Sequence, residues 1–181
     1  MNPSIRRLAQ SGGLLAAAFA LKYPLIGLPN IEPLTLAFFA LGYAHGARWG
    51  AFVGFAGEAI FAAFNPLGMP IAPVWAAQVL AMTFVGASGG MFRPFYDPAW
   101  SPKVRAGLAA AAGIAVTLAF DLVTNLAFAV VIGPFCGVML AAMPFAAIHV
   151  ASNALLFALV FPILSRWLVR PIHPVVDSSA S

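Results

Sequence analysis

Residues Ala106–Ile132 read AGLAAAAGIAVTLAFDLVTNLAFAVVI, an apolar run with a single ionisable side chain, Asp121. A helix needs about 20 such residues to cross the hydrocarbon of a bilayer, so this stretch predicts a transmembrane helix. Its neighbours repeat the pattern. Working outward, apolar runs over about 8–28, 34–47, 51–64, 74–92, 106–132 and 145–168 predict six spans in one transmembrane domain, residues 1–181. The second and third runs are short, but Arg48 at the tip between them argues for two crossings rather than a re-entrant hairpin. The string GPFCGVMLAAMP, residues 133–144, breaks the pattern between the fifth and sixth.

Composition agrees. Hydrophobic residues make up 62% of the 181 and charged residues 8%, where a soluble domain carries roughly 25% charged. That excludes a soluble enzyme, a nucleic-acid binder and a disordered chain, and leaves an all-α integral membrane protein. The net charge of +4 is no nucleic-acid signal, because the basic residues are scattered rather than striped. The lone cysteine, Cys136, cannot form an internal disulfide. Arg6 and Arg7 before the first apolar run resemble the start of a signal peptide, but further spans follow, so the run reads as the first helix.

Six spans place Arg6, Arg7, Arg48, Arg93, Lys103, Arg105, Arg166 and Arg170 on one side and only Lys22 on the other. Basic residues mark the cytoplasmic face, so both termini are expected in the cytoplasm.

The residues a membrane should exclude are the informative ones. Glu58 lies in the third span, Trp75 and Gln78 open the fourth, Asp121 and Asn125 lie in the fifth, and His149 and Asn153 in the sixth. The i,i+4 spacing puts Asp121 with Asn125, and His149 with Asn153, on one helix face each. With alternating span direction, all seven fall in the outer half of the bundle. One polar cavity open to the outside explains that agreement, with Glu32, Asn65 and Trp75 lining or covering it. Structural readings stand beside this one: ion pairs that glue the bundle, interhelical amide bonds from Asn125 and Asn153, a helix cap at Gln78, interfacial belt tryptophans at Trp49 and Trp75, and a solvated loop at Glu32. Small residues at i,i+4 (Gly46, Gly50, Gly54; Gly86, Gly90; Ala16, Ala20) predict close helix packing. Ala16 and Ala20 could equally form a docking face for a partner helix.

No nucleotide-binding P-loop, C-x-x-C or H-E-x-x-H is present, and no resident metal or cofactor is expected. GASG, residues 86–89, together with His149 resembles the dyad of rhomboid intramembrane proteases. At 1.5 Å per residue, however, Ser88 and His149 come out about 10 Å or more apart along the membrane normal, too far for proton transfer.

The strings NIEPLTLAFFALGYAHGARWGAFVGFAGE, FNPLG, PVWAAQ and DLVTNLAF, with six short helices and the outer polar cluster, make residues 8–170 resemble the substrate-binding S component of an energy-coupling factor (ECF) vitamin transporter. That resemblance implies a multi-pass protein of the bacterial cytoplasmic membrane. It would bind a vitamin or related micronutrient at Glu58, Trp75, Gln78, Asp121, Asn125, His149 and Asn153, and catalyse nothing itself. Its partner would be a membrane scaffold subunit carrying two ATPases, met through the Ala-x-x-x-Ala spacing of Ala16 and Ala20. The Met-x-His start of the nickel and cobalt branch is missing (Met1, Asn2, Pro3), which argues against a metal substrate. Two intramembrane carboxyls would suit a ligand with amine, amide or ring N–H donors. The alternative is a stand-alone small-molecule permease or channel.

Overall fold

The helix starts follow from short polar and proline signals. Asn2 accepts a hydrogen bond from the Ser4 amide (2.9 Å) and Pro3 opens α1, Pro3–Lys22. Ser101 caps the Val104 amide (3.4 Å) and Pro102 opens α5, Pro102–Ile132. Between these lie α2 (Leu34–His45), α3 (Ala47–Ala63) and α4 (Ala72–Phe92), the last running into a 3-10 turn at Arg93–Phe95, and α6 (Phe135–Val169) closes the bundle. The structure, a computed structural model, describes residues 2–28 and 30–169. It is an all-α bundle. Three stretches, Ala72–Phe95, Pro102–Ile132 and Phe135–Val169, are long and apolar enough to cross a membrane, and α2 is a shorter apolar helix.

The helices overlap the expected runs. Helices α1, α3 and α5 start several residues earlier, at Pro3, Ala47 and Pro102, so that Arg48 lies in the first turn of α3. Two differences are larger. Helix α1 ends at Lys22, so 23–28 is a turning segment rather than the end of a span. Helix α6 begins at Phe135, so the break foreseen over 133–144 shrinks to a turn at Gly133 and Pro134. Pro144 and Pro162 lie inside α6. Each removes one intrahelical hydrogen bond. In an apolar helix the other backbone groups have no competing partner, so the helix runs on.

Helix α2 is hydrophobic all round, and every residue from Leu34 to Tyr43 is buried. It occupies the middle of the bundle, packed by α1, α3, α4 and α6. Gly46, at φ 96°, turns the chain directly from α2 into α3. Helices α2, α3 and α4 then approach almost backbone to backbone. A methyl group at Gly86 would overlap the Gly50 carbonyl, and one at Gly42 would overlap the Gly86 carbonyl. The small-residue spacing of the third and fourth runs is therefore internal packing.

Helices α5 and α6 form an antiparallel pair in strict register. Asp121 meets His149, Thr117 meets Asn153, and Gly113 faces Phe157, each step one turn further along. Beyond Phe157 the seam is aromatic. Phe39 stands edge-on to Phe157 (5.2 Å between centroids) and Phe161 (5.4 Å), and Tyr43, Phe92 and Tyr96 complete the cluster.

The two ends of the bundle differ in charge. At the basic end Arg6 donates to the Leu168 carbonyl (3.0 Å), Arg7 lies over the Trp49 ring (4.1 Å), and Arg166 donates to the Pro98 carbonyl (3.1 Å). Arg48, Arg93, Lys103 and Arg105 sit at helix ends on this side. Of the expected basic set, Arg170 lies outside the described residues. The opposite end carries Lys22 and gathers the acids Glu32, Glu58 and Asp121.

Candidate ligand-binding cavity

A chain of side chains crosses the acidic end and ties four segments together. Asp121 Oδ1 on α5 lies 2.7 Å from His149 Nδ1 on α6. The other ring nitrogen, His149 Nε2, is 4.0 Å from Glu32 Oε1 in the segment before α2. Glu32 accepts from the Thr35 hydroxyl, and its second oxygen is 3.9 Å from Lys22 Nζ at the end of α1. Lys22 also donates to the Ile31 carbonyl at 3.4 Å. The Phe120 and His149 rings stand edge to face, with 5.7 Å between their centroids.

This chain borders two neighbouring chambers. The larger, about 570 Å³, lies between α5 and α6 and is lined by Asp121, Asn125, Phe128, Val138 and Phe145. The smaller, about 190 Å³, lies against α1 and α3 and is lined by Lys22, Glu32, Glu58, Asn65 and His149. Asn30, Gln78 and Phe120 line both and so form the boundary. Asn30 is locked in place. Its backbone is left-handed (φ 62°), its amide donates to the Phe145 carbonyl (2.7 Å), and its carbonyl accepts from the Ser152 hydroxyl (2.9 Å). Asparagine tolerates this conformation better than most residues.

Two lining carboxyls are incomplete. Glu58 is 5% exposed and Asp121 9%, yet Glu58 Oε2 and Asp121 Oδ2 meet no protein donor. Buried polar atoms are nearly always hydrogen-bonded, and leaving a carboxylate oxygen unpaired is costly. Such atoms suit a ligand that brings donors.

Of the seven expected site residues, Glu58, Gln78, Asp121, Asn125 and His149 come together around the cavity. Asn153 does not. It is fully buried one turn below His149, where its amide donates to Thr117 Oγ1 at 3.0 Å and braces α5 against α6. Trp75 is half-buried on α4 and lines neither chamber. Glu32 and Asn65, expected to line or cover the cavity, both do so. Lys22, Asn30 and Phe120 were not foreseen. Lys22 closes an apolar helix as any interfacial lysine would, and Asn30 sits in a turn. The one signal was the alternation of Lys22 and Glu32 around a short loop, which gives an ion pair a chance to form across it.

Ala16 and Ala20 are exposed on α1. Ser88 gives its hydroxyl to the Phe84 carbonyl of its own helix (2.8 Å), while His149 is engaged by Asp121. Among the described residues no group of three His, Cys, Asp or Glu side chains is arranged to hold a metal ion. Comparison with protein-family models, curated proteins and solved structures returns no match.

Proposed function

We propose that the chain is a small-molecule-binding membrane subunit of the S-component kind, receiving a micronutrient at the acidic end and handing it to an ATPase-driven scaffold. The observation that carries this reading is the pair of neighbouring chambers, whose walls include buried carboxyl oxygens without protein donors. In this reading all six helices cross the bacterial cytoplasmic membrane, and the basic end faces the cytoplasm, as the distribution of arginines and lysines favours. Helix α2, at about 18 Å for its 12 residues, is shorter than the roughly 30 Å hydrocarbon layer. Its burial among four other helices lets it cross without meeting lipid. The exposed Ala16 and Ala20 on α1 leave a flat strip on which a scaffold helix can lie close.

The test is to purify the protein from a bacterial membrane and titrate it with a panel of vitamins by calorimetry, while probing for co-purified ATPase and scaffold subunits. Saturable binding with a co-purifying scaffold supports the proposal. Absence of both sinks it. ATP-independent uptake into liposomes by the protein alone would make it a self-contained permease instead.

A further inference from the structure

The basic end of the bundle has a pocket of its own, about 290 Å³ in volume. It lies where the start of α1, the end of α2, the 3-10 turn after α4 and the end of α6 meet, and Arg6, His45, Arg93 and Leu168 line it. Its ionisable lining is basic throughout: two guanidiniums and an imidazole, with no carboxylate among the described residues. Arg6 is held at the wall by its bond to the Leu168 carbonyl (3.0 Å). The Arg93 side chain makes neither a hydrogen bond nor an ion pair among the described residues. His45 Nε2 is buried and meets no partner among them either.

The described residues supply no anion to this pocket. The chain has five acids. Glu32, Glu58 and Asp121 gather at the opposite end. Asp97 follows Arg93 closely in the chain, but it accepts from the Ala99 amide (2.7 Å) and pairs with no base among the described residues. Asp177 lies outside the described residues. Gathered like charges repel one another, and an anion placed among them relieves the repulsion. Arginine suits phosphate in particular, because its planar fork can donate two parallel N–H bonds to one oxyanion.

Depth indicates the source of the phosphate. Arg93 lies at the end of Ala72–Phe95, and Leu168 at the end of Phe135–Val169, two stretches long and apolar enough to cross a membrane. In a bilayer the pocket therefore sits where hydrocarbon gives way to headgroups. Basic pockets between helices at this level suit anionic headgroups. Close to the lining residues in the chain, Ile5 (57% exposed) and Phe95 (69%) offer apolar surface to acyl chains.

We infer that this pocket holds the phosphate of an anionic phospholipid, with Arg93 and His45 as its contacts and Arg6 adding positive charge at the wall. The site is separate from the chambers at the acidic end and does not depend on what they bind.

The test uses the full-length protein in a maltoside detergent. Its melting temperature is followed as phosphatidylglycerol, phosphatidylcholine or inorganic phosphate is added, and retained lipid is read by native mass spectrometry. The expected result is saturable stabilisation and a retained adduct with phosphatidylglycerol, and neither with the other two. Arg93→Gln and His45→Gln should both weaken the effect, Arg93→Gln by about fivefold. Arg48→Gln, exposed at the same end but outside the pocket, should leave it unchanged. Arg93 is exposed, so its replacement should leave the fold intact, which the melting curve without lipid checks. Equal weakening by Arg48→Gln would mean diffuse attraction to the whole basic end and overturns the inference. Equal stabilisation by phosphatidylcholine overturns it too, as does saturable binding of inorganic phosphate alone, which would mark a site for soluble phosphate. If phosphatidylglycerol has no effect, or binds only after residues 171–181 are removed, the inference also falls; the second outcome would give the pocket to the chain's own end.

Discussion

Asp121 on α5 and His149 on α6 are joined at 2.7 Å, and the pair is both a wall of the cavity and the top rung of the α5–α6 seam. The next rung is Asn153 to Thr117 at 3.0 Å. Removing one partner of a buried polar pair leaves the other with its full desolvation cost. Asp121→Ala should therefore destabilise the bundle by about 1–3 kcal/mol. A double-mutant cycle with Asp121→Asn and His149→Gln should return a coupling of about 1 kcal/mol or more. Thermal unfolding in detergent measures both. Additive effects would show that the two side chains act independently.

The glycine contacts give a sharper contrast. Gly86→Ala puts a methyl group against the Gly50 carbonyl. Backbone cannot rotate out of the way as a side chain can, so α3 and α4 must part. Overpacking of this kind costs about 1–3 kcal/mol. Gly107→Ala, on the exposed side of α5 with open space around it, removes only the helix penalty of glycine. It should stabilise by up to about 1 kcal/mol. Paired melting curves in one detergent would check the opposite signs; equal shifts would rule out the close approach.

The six helices were legible because each is a mostly apolar run bounded by polar, glycine or proline residues. The i,i+4 spacing placed Asp121 with Asn125 correctly on the cavity wall. The same spacing misplaced Asn153, because one turn along α6 is also one turn deeper, and there the facing residue is Thr117 rather than the cavity. Lys22 and Asn30 were not legible. Their positions depend on how the segment between α1 and α2 folds back over α6, through Asn30 to Phe145 and Ser152. No periodicity in the chain encodes that path. The extra turns of α6 before Phe145 were hidden by glycine and proline, which punctuate soluble helices more strongly than membrane ones.

Asn30 should control how long a ligand stays. Its side chain holds the α1–α2 segment to the Phe145 carbonyl, and it borders both chambers. Asn30→Gly keeps the left-handed backbone accessible but loses the side-chain bond; Asn30→Ala loses the bond and adds backbone strain. Ligand dissociation should quicken in the order wild type, Asn30→Gly, Asn30→Ala, with a loss of about one hydrogen bond, or roughly 0.5–1.5 kcal/mol, at the first step. Stopped-flow displacement of whichever ligand proves to bind reads this directly. Identical off-rates would mean that the segment does not restrain the ligand.

The proposed membrane orientation can be tested on the native chain. Cys136 is its only cysteine, and it is exposed in the first turn of α6, beside the turn from α5. If the basic end is cytoplasmic, Cys136 lies on the outer side, and a membrane-impermeant maleimide should label it in spheroplasts. In a Cys136→Ser background, a cysteine replacing exposed Ser101, before α5 at the basic end, should be labelled only in inverted vesicles. The opposite pattern would reverse the orientation and turn the cavity toward the cytoplasm. Labelling of both positions from the same side would mean that α5 does not cross the bilayer, because Ser101 and Cys136 flank that one helix.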